Sequence, residues 1–127
     1  MQGFDVDVEV VNPFLEAIIN VFSQMFGIKL RRGKLSLKEN PYPNYETAIV
    51  VRATGDYKGV VVYSMKYDTG WKLIYQLFPE KPPAEAKKEF ADIIGEIANM
   101  ITGNAATLLV SKNREIILSP PIVIEDI

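Results

Sequence analysis

Apolar and acidic residues alternate at the start of the chain, with Phe4, Val6, Val8 and Val10 set against Asp5, Asp7 and Glu9. A period of two predicts a strand over residues 4–10 with one buried face. The period then lengthens. Asn12 and Pro13 read as an N-cap followed by proline at the first helical position. Phe14, Leu15, Ile18, Ile19, Phe22, Met25 and Phe26 recur at helical spacing as far as Gly27, a natural C-terminal stop. The expected element is an amphipathic helix of about four turns.

In "IKLRRGKLSLKEN", Ile28, Leu30, Leu35 and Leu37 alternate with basic or polar residues, which predicts another strand. Its cluster of Lys29, Arg31, Arg32, Lys34 and Lys38 fits a docking patch for an acidic partner. The plainer reading is a solvated strand face whose lysines discourage edge pairing. "NPYPN" at residues 40–44 breaks the pattern. "ETAIVVRAT" and "KGVVVYSMK" follow with "GDY" between their cores, and predict a hairpin whose dense β-branched residues imply a well-covered sheet.

Asp68 and Thr69 read as a cap for a short helix over "GWKLIYQLF", in which Trp71 is a core or interface residue. "PEKPP" is a linker, and Pro83 can open a long helix. The stripe Phe90, Ile94, Ile97, Ile101, Ala105 and Leu108 keeps its phase across Gly103, so this helix should reach about Val110. "REIILS" and "PIVIED" then predict two short strands around Pro120 and Pro121. The succession implies an α+β fold, a single domain over residues 1–127 with a β-sheet covered by two long helices.

Composition sharpens this picture mainly by exclusion. A chain of 127 residues, 48% of them apolar, can bury roughly two thirds of its unfolded surface without disulfides, and it has no cysteine. No histidine is present either. A Ser/His triad, a thiol nucleophile and an ordinary zinc site are therefore ruled out, leaving carboxylates, amides, lysines or a partner's groups to carry any chemistry. A formal charge of −2 argues against a nucleic-acid partner. No uninterrupted apolar run has the roughly 18 residues of a membrane span, and "MQGFDVDVEV" lacks the basic start and apolar core of a signal peptide. The expectation is a soluble cytoplasmic protein without a membrane association.

One stretch admits two readings: Asp92 and Glu96 fit ordinary solvated carboxylates in the first half of a helix, where the macrodipole favours them, whereas Asn99 is harder to explain by helix stability. In "DIIGEIANMITGNA", Asp92, Glu96, Asn99 and Gly103 recur at steps of four, three and four, which aligns them in a narrow stripe apart from the isoleucines. An exposed helix surface favours Glu, Lys, Gln and Ala, whereas Asn is a mediocre helix former and an interior Gly costs about 1 kcal/mol relative to Ala. Asn cannot act as a base at neutral pH, but its amide accepts and donates hydrogen bonds well enough to orient a water. Glu96 can pair with a cation, and Gly103 and the adjacent Gly95 let another backbone approach. Such a stripe suits docking onto a second protein that already owns a metal and an electrophile.

At this point the sequence resembles the CheC/CheX/FliY family of phosphatases that act on a phosphorylated chemotaxis response regulator. The family pattern is Asp or Ser, three residues, Glu, two residues, Asn, then twenty-one residues and Pro. Asp92, Glu96, Asn99 and Pro121 meet every interval. "GEIANMITGNA" and "VNPFLEAIINVF" extend the likeness over most of the chain. CheC-type relatives carry a second Glu-x-x-Asn on the first helix. Here Glu16 is followed by Ile19, and Asn20 stands one place too late, turned about 100° from the required direction. The chain is thus CheX-like with one site, and Glu16 and Asn20 are expected to be surface residues.

The resemblance implies removal of phosphate from the phospho-aspartate of a CheY-type response regulator, with the long helix laid across the regulator's active site. It implies catalytic roles for Glu96, pairing with the regulator's active-site lysine, and for Asn99, orienting the attacking water. Asp92, Gly95 and Gly103 would contact the partner, and Pro121 would support the motif. The chain would hold no metal or cofactor of its own, since the regulator supplies Mg²⁺, and relatives imply a homodimer formed through the sheets. The alternative is a non-catalytic domain of the same fold that binds a regulator or assembles in a flagellar-switch-like scaffold.

Overall fold

The computed structural model describes residues 8–40 and 42–125. Its elements run α1 (Val8–Phe26), β1 (Thr47–Gly55), β2 (Gly59–Met65), α2 (Tyr67–Leu77), α3 (Pro83–Ser111), β3 (Ile116–Leu118) and β4 (Ile122–Ile124). The fold is α+β, with an antiparallel sheet and helices packed on one side of it.

The start of the chain departs from expectation. Val8, Glu9 and Val10 belong to α1 and not to a strand, while residues 4–7 of that prediction lie outside the described residues. Val10, Phe14, Ala17 and Val21 are all buried and step by four, three and four, so the helical stripe already includes Val10. Pro13 therefore sits inside α1 rather than opening it, with its ring buried. As the sixth residue of the helix it cannot donate to the Glu9 carbonyl and crowds it, a cost that burial of its ring partly offsets. Gly27, with φ at 63°, ends α1 as expected.

The predicted strand over 28–37 is also absent: residues 28–38 carry no regular structure, and Leu35 and Leu37 are 58% and 71% exposed. Alternation is only half of what a strand needs. Without a neighbour to take its backbone hydrogen bonds, an isolated extended segment is not a stable element.

β1 is the central strand, pairing antiparallel with β2, β3 and β4. Its odd residues Thr47, Ile49, Val51 and Ala53 face inward and are buried. The registers put Val61, Tyr63, Met65, Val123, Ile116 and Leu118 on that same face, against the helices. Among the described residues the helices cover only this face, and apart from the small Ala48 the other face is largely open, which departs from the expectation of a well-covered sheet. On the outer face Val62, Val50 and Ile122 form a cross-strand row, and Val60, Ile117 and Ile124 stand exposed around it.

α3 is the core helix, packed on α1, α2 and the sheet. It begins at Pro83 as predicted and extends to Ser111. Phe90, Ile94, Ile97, Ile101 and Ala105 are buried, but Leu109 rather than Leu108 continues the stripe, one full step of four beyond Ala105. By length and composition alone α3 would pass for a membrane span. Its apolar stripe instead faces the other helices and the sheet. Asn20 differs from the surface role expected of it: its amide is half-buried and donates to Asn104 Oδ1 at 3.3 Å, joining α1 to α3. Glu16 is exposed.

α2 starts at Tyr67, so Asp68 and Thr69 lie inside its first turn and do not cap it. The cap comes from far away in sequence, because the Glu46 carboxylate accepts the Tyr67 N–H at 3.0 Å. That hydrogen bond is the first cause of a lowered Glu46 pKa. Trp71 is partly buried and packs against the core, its ring 5.1 Å from Phe90 and 5.9 Å from Tyr67. Gly70 makes this approach possible, since a side chain there would meet Phe90 Cζ at 2.8 Å.

Candidate functional site

Burial of one face of α3 determines what the other face can do. Ile94, Ile97 and Ile101 are at most 5% exposed, so Asp92, Glu96 and Asn99, half a turn around, point to solvent. None of these three side chains makes a hydrogen bond or ion pair with a described residue. Two other carboxylates do find partners, Asp68 with Lys72 at 3.2 Å on α2 and Glu89 with Lys81, just before α3, at 2.8 Å. A carboxamide and two carboxylates left free on an ordered helix are hydrogen-bonding groups available to an incoming molecule.

The return of the chain through β3 and β4 brings Pro121 to the same place. Ala91, Asp92, Gly95, Glu96 and Asn99 form one side of a shallow open groove, and Pro120, Pro121 and Val123 form the other. Four residues spread over thirty positions in sequence thus meet around one depression. Pro121 is half-buried and Pro120 exposed.

The two glycines separate. Gly95 lies in the groove but faces β4, where a Cβ would be 3.4 Å from Val123 Cγ2. Gly103 does not line the groove; it is exposed, with open space where a side chain would be. Residues that the sequence pattern did not single out are Ala91, Pro120, Val123 and the preceding Ser119. The run Ser-Pro-Pro was a usable signal, because consecutive prolines make a rigid apolar turn.

Behind the groove the helix is braced on the sheet. Tyr63 Oη and Thr102 Oγ1 lie 3.0 Å apart between β2 and α3. Thr47 Oγ1 donates to the Glu125 carbonyl at 2.6 Å, tying the end of β4 to β1. Among the described residues, no group of three or more acidic side chains is gathered closely enough to hold a metal ion. The basic segment 29–38 is exposed and is not part of the groove.

The groove offers an amide able to orient a water and two carboxylates able to pair with a cation. Such groups can hold and orient a bound molecule.

Residues 47–126 match the family model described as chemotaxis phosphatase CheX. The fold is similar to a CheC-like superfamily protein from Shewanella sp. PV-4, at 29% identity over 93% of this chain and 77% of that one, with a TM-score of 0.80. It is similar to the chemotaxis protein CheX from Desulfovibrio desulfuricans, at 26% identity over 91% and 77%, with a TM-score of 0.81. It also matches the CheX–CheY–BeF3–Mg²⁺ complex from Borrelia burgdorferi, at 25% identity over 93% and 77%, with a TM-score of 0.74. No curated protein matches the sequence significantly.

Proposed function

The chain belongs to the CheX family of chemotaxis phosphatases, and from that premise we propose that it dephosphorylates the phospho-aspartate of a CheY-type response regulator by laying α3 across the regulator's active site. The observation that carries the reading is the free, outward-facing pair Glu96 and Asn99, one turn apart beside Pro121. The complex of a relative with CheY, BeF3 and Mg²⁺ supports the choice of partner.

Hydrolysis of an acyl phosphate needs a water in line with the bond that breaks. Asn99 Oδ1 accepts a hydrogen bond from that water and aims its lone pair at phosphorus. As the water oxygen bonds to phosphorus, the bond to the aspartyl oxygen breaks, releasing inorganic phosphate and a free carboxylate. Mg²⁺ held by the regulator neutralises charge on the phosphoryl oxygens. Glu96 pairs with the regulator's active-site lysine and fixes the helix in place, a charge-assisted contact. Asp92 and Gly103 widen the contact, Gly103 by letting partner backbone approach where a side chain would stand off.

We further propose a cytoplasmic homodimer. The outer edge of β2 has no described partner strand, and Val60 and Val62 are exposed beside it. A second copy extending the sheet would satisfy that edge while leaving α3 open on both protomers.

The test is phosphate release from a phosphorylated regulator with Mg²⁺ present. Substoichiometric protein should accelerate release through many turnovers. An effect confined to stoichiometric amounts would mean a binding domain without catalysis.

A further inference from the structure

We propose that the Pro120–Pro121 turn is a second docking wall, one that selects the partner by an apolar side chain next to its phosphorylated residue, and that Ser119 is the positioning residue holding the wall in place. The proposal rests on the docking reading above and adds a determinant of which regulator is accepted.

The groove has two chemically different sides. Asp92, Glu96 and Asn99 make one polar; Pro120, Pro121 and Val123 make the other apolar. Any molecule seated deeply enough to meet Glu96 and Asn99 also meets the proline rings, so the two walls form one continuous contact surface.

Ser119 fastens the second wall to the sheet with two hydrogen bonds and makes a third within the wall. Its N–H donates to the Arg52 carbonyl at 2.9 Å, its Oγ accepts the Arg52 N–H at 2.8 Å, and the same hydroxyl reaches the Pro120 carbonyl at 3.2 Å. The serine thus replaces a strand pair at the point where the ladder between β1 and β3 ends. Proline has no N–H, and the Pro120 carbonyl is engaged by Ser119. What Pro120 presents outward is an apolar ring on a backbone of fixed φ.

Such a surface discriminates in one direction. An apolar side chain pressed on it leaves water without losing a hydrogen bond, whereas a charged one is desolvated with nothing to pair with. Because the turn is rigid before the partner arrives, little ordering remains to oppose binding. The wall lies close to α3 at Gly95, where an added β-carbon would come 3.4 Å from Val123 Cγ2.

The experiment compares Pro120→Glu and Pro120→Lys. Pro120 is exposed, so neither change disturbs the core. Binding is measured by titration with a regulator carrying BeF3 and Mg²⁺, and turnover by phosphate release against regulator concentration. Both variants should weaken binding and raise KM by about tenfold, with kcat retained, as expected for a lost apolar contact replaced by an unpaired charge. Ser119→Ala should raise KM in the same way, and Ser119→Thr, which keeps the hydroxyl, should recover most of the loss. Shifts of opposite sign for Glu and Lys would assign the effect to long-range charge and overturn the wall. Unchanged KM, or a fall in kcat alone, would overturn it as well. If the wild-type chain turns over normally while the variants match it, only the wall falls. If the wild type neither binds nor turns over, the docking reading falls and takes the wall with it.

Discussion

A methyl group on Gly95 would come 3.4 Å from Val123 Cγ2, so between α3 and β4, beside the groove, there is room for a β-carbon at ordinary van der Waals distance and little more. Alanine just fits, and its better helix propensity, about 1 kcal/mol over glycine, offsets the tight contact. Gly95→Ala should therefore leave melting temperature and phosphate release nearly unchanged. Gly95→Val should push β4 away and raise KM severalfold, and adding Val123→Ala should recover the loss. Normal kinetics for Gly95→Val would mean that the contact does not set the groove.

Tyr63 and Thr102 predict an alkaline limit to stability. Burial raises the Tyr63 pKa above its ordinary 10.0, partly opposed by the hydrogen bond from Thr102. A raised folded pKa means that the folded state holds its proton more tightly than the unfolded chain. The stabilisation is present below about pH 10 and is lost as pH climbs through the folded value. Urea denaturation should show this steeper alkaline loss in the wild type and not in Tyr63→Phe. At neutral pH Tyr63→Phe leaves the buried Thr102 hydroxyl unpaired and should lower stability by about 1–3 kcal/mol. Equal alkaline slopes in the two proteins would contradict the assignment.

The proposed dimer predicts its own weak point. Val62 is exposed on β2 and lies in the outer row with Val50 and Ile122. Light scattering at tens of micromolar should report a dimer for the wild type and a monomer for Val62→Lys, since charge on an exposed strand opposes edge pairing. A monomeric wild type would refute the assembly.

Local period made the hairpin, the long helix and the site stripe legible in sequence. Each is specified by residues within a few positions of one another, so Asp92, Glu96 and Asn99 emerge on the face opposite Ile94, Ile97 and Ile101 as the spacing requires. The misreadings arose where the deciding partner is distant. Val8 and Val10 fit a period of two as well as they fit a helix, and the choice is made by Val10, which is buried with Phe14 and Ala17 while Val8 is exposed. Ile28 to Leu37 has strand alternation but finds no neighbouring strand. The cap on α2 is Glu46, which lies twenty-one residues before the N–H it accepts. Pro121 was visible as a motif position, yet its place beside Asn99 depends on β4 returning along β1.

The central claim is that Asn99 positions the attacking water while Glu96 anchors the helix, and saturation kinetics separates the two. Glu96→Ala removes a charged hydrogen bond and should weaken binding to the phosphorylated regulator about ten- to hundredfold. Asn99→Ala should bind nearly as well as the wild type while phosphate release at saturating regulator falls by about 10² or more, the scale of a lost transition-state positioning group. Normal turnover at saturation for Asn99→Ala, with the loss confined to binding, would make Asn99 a contact residue and contradict the account.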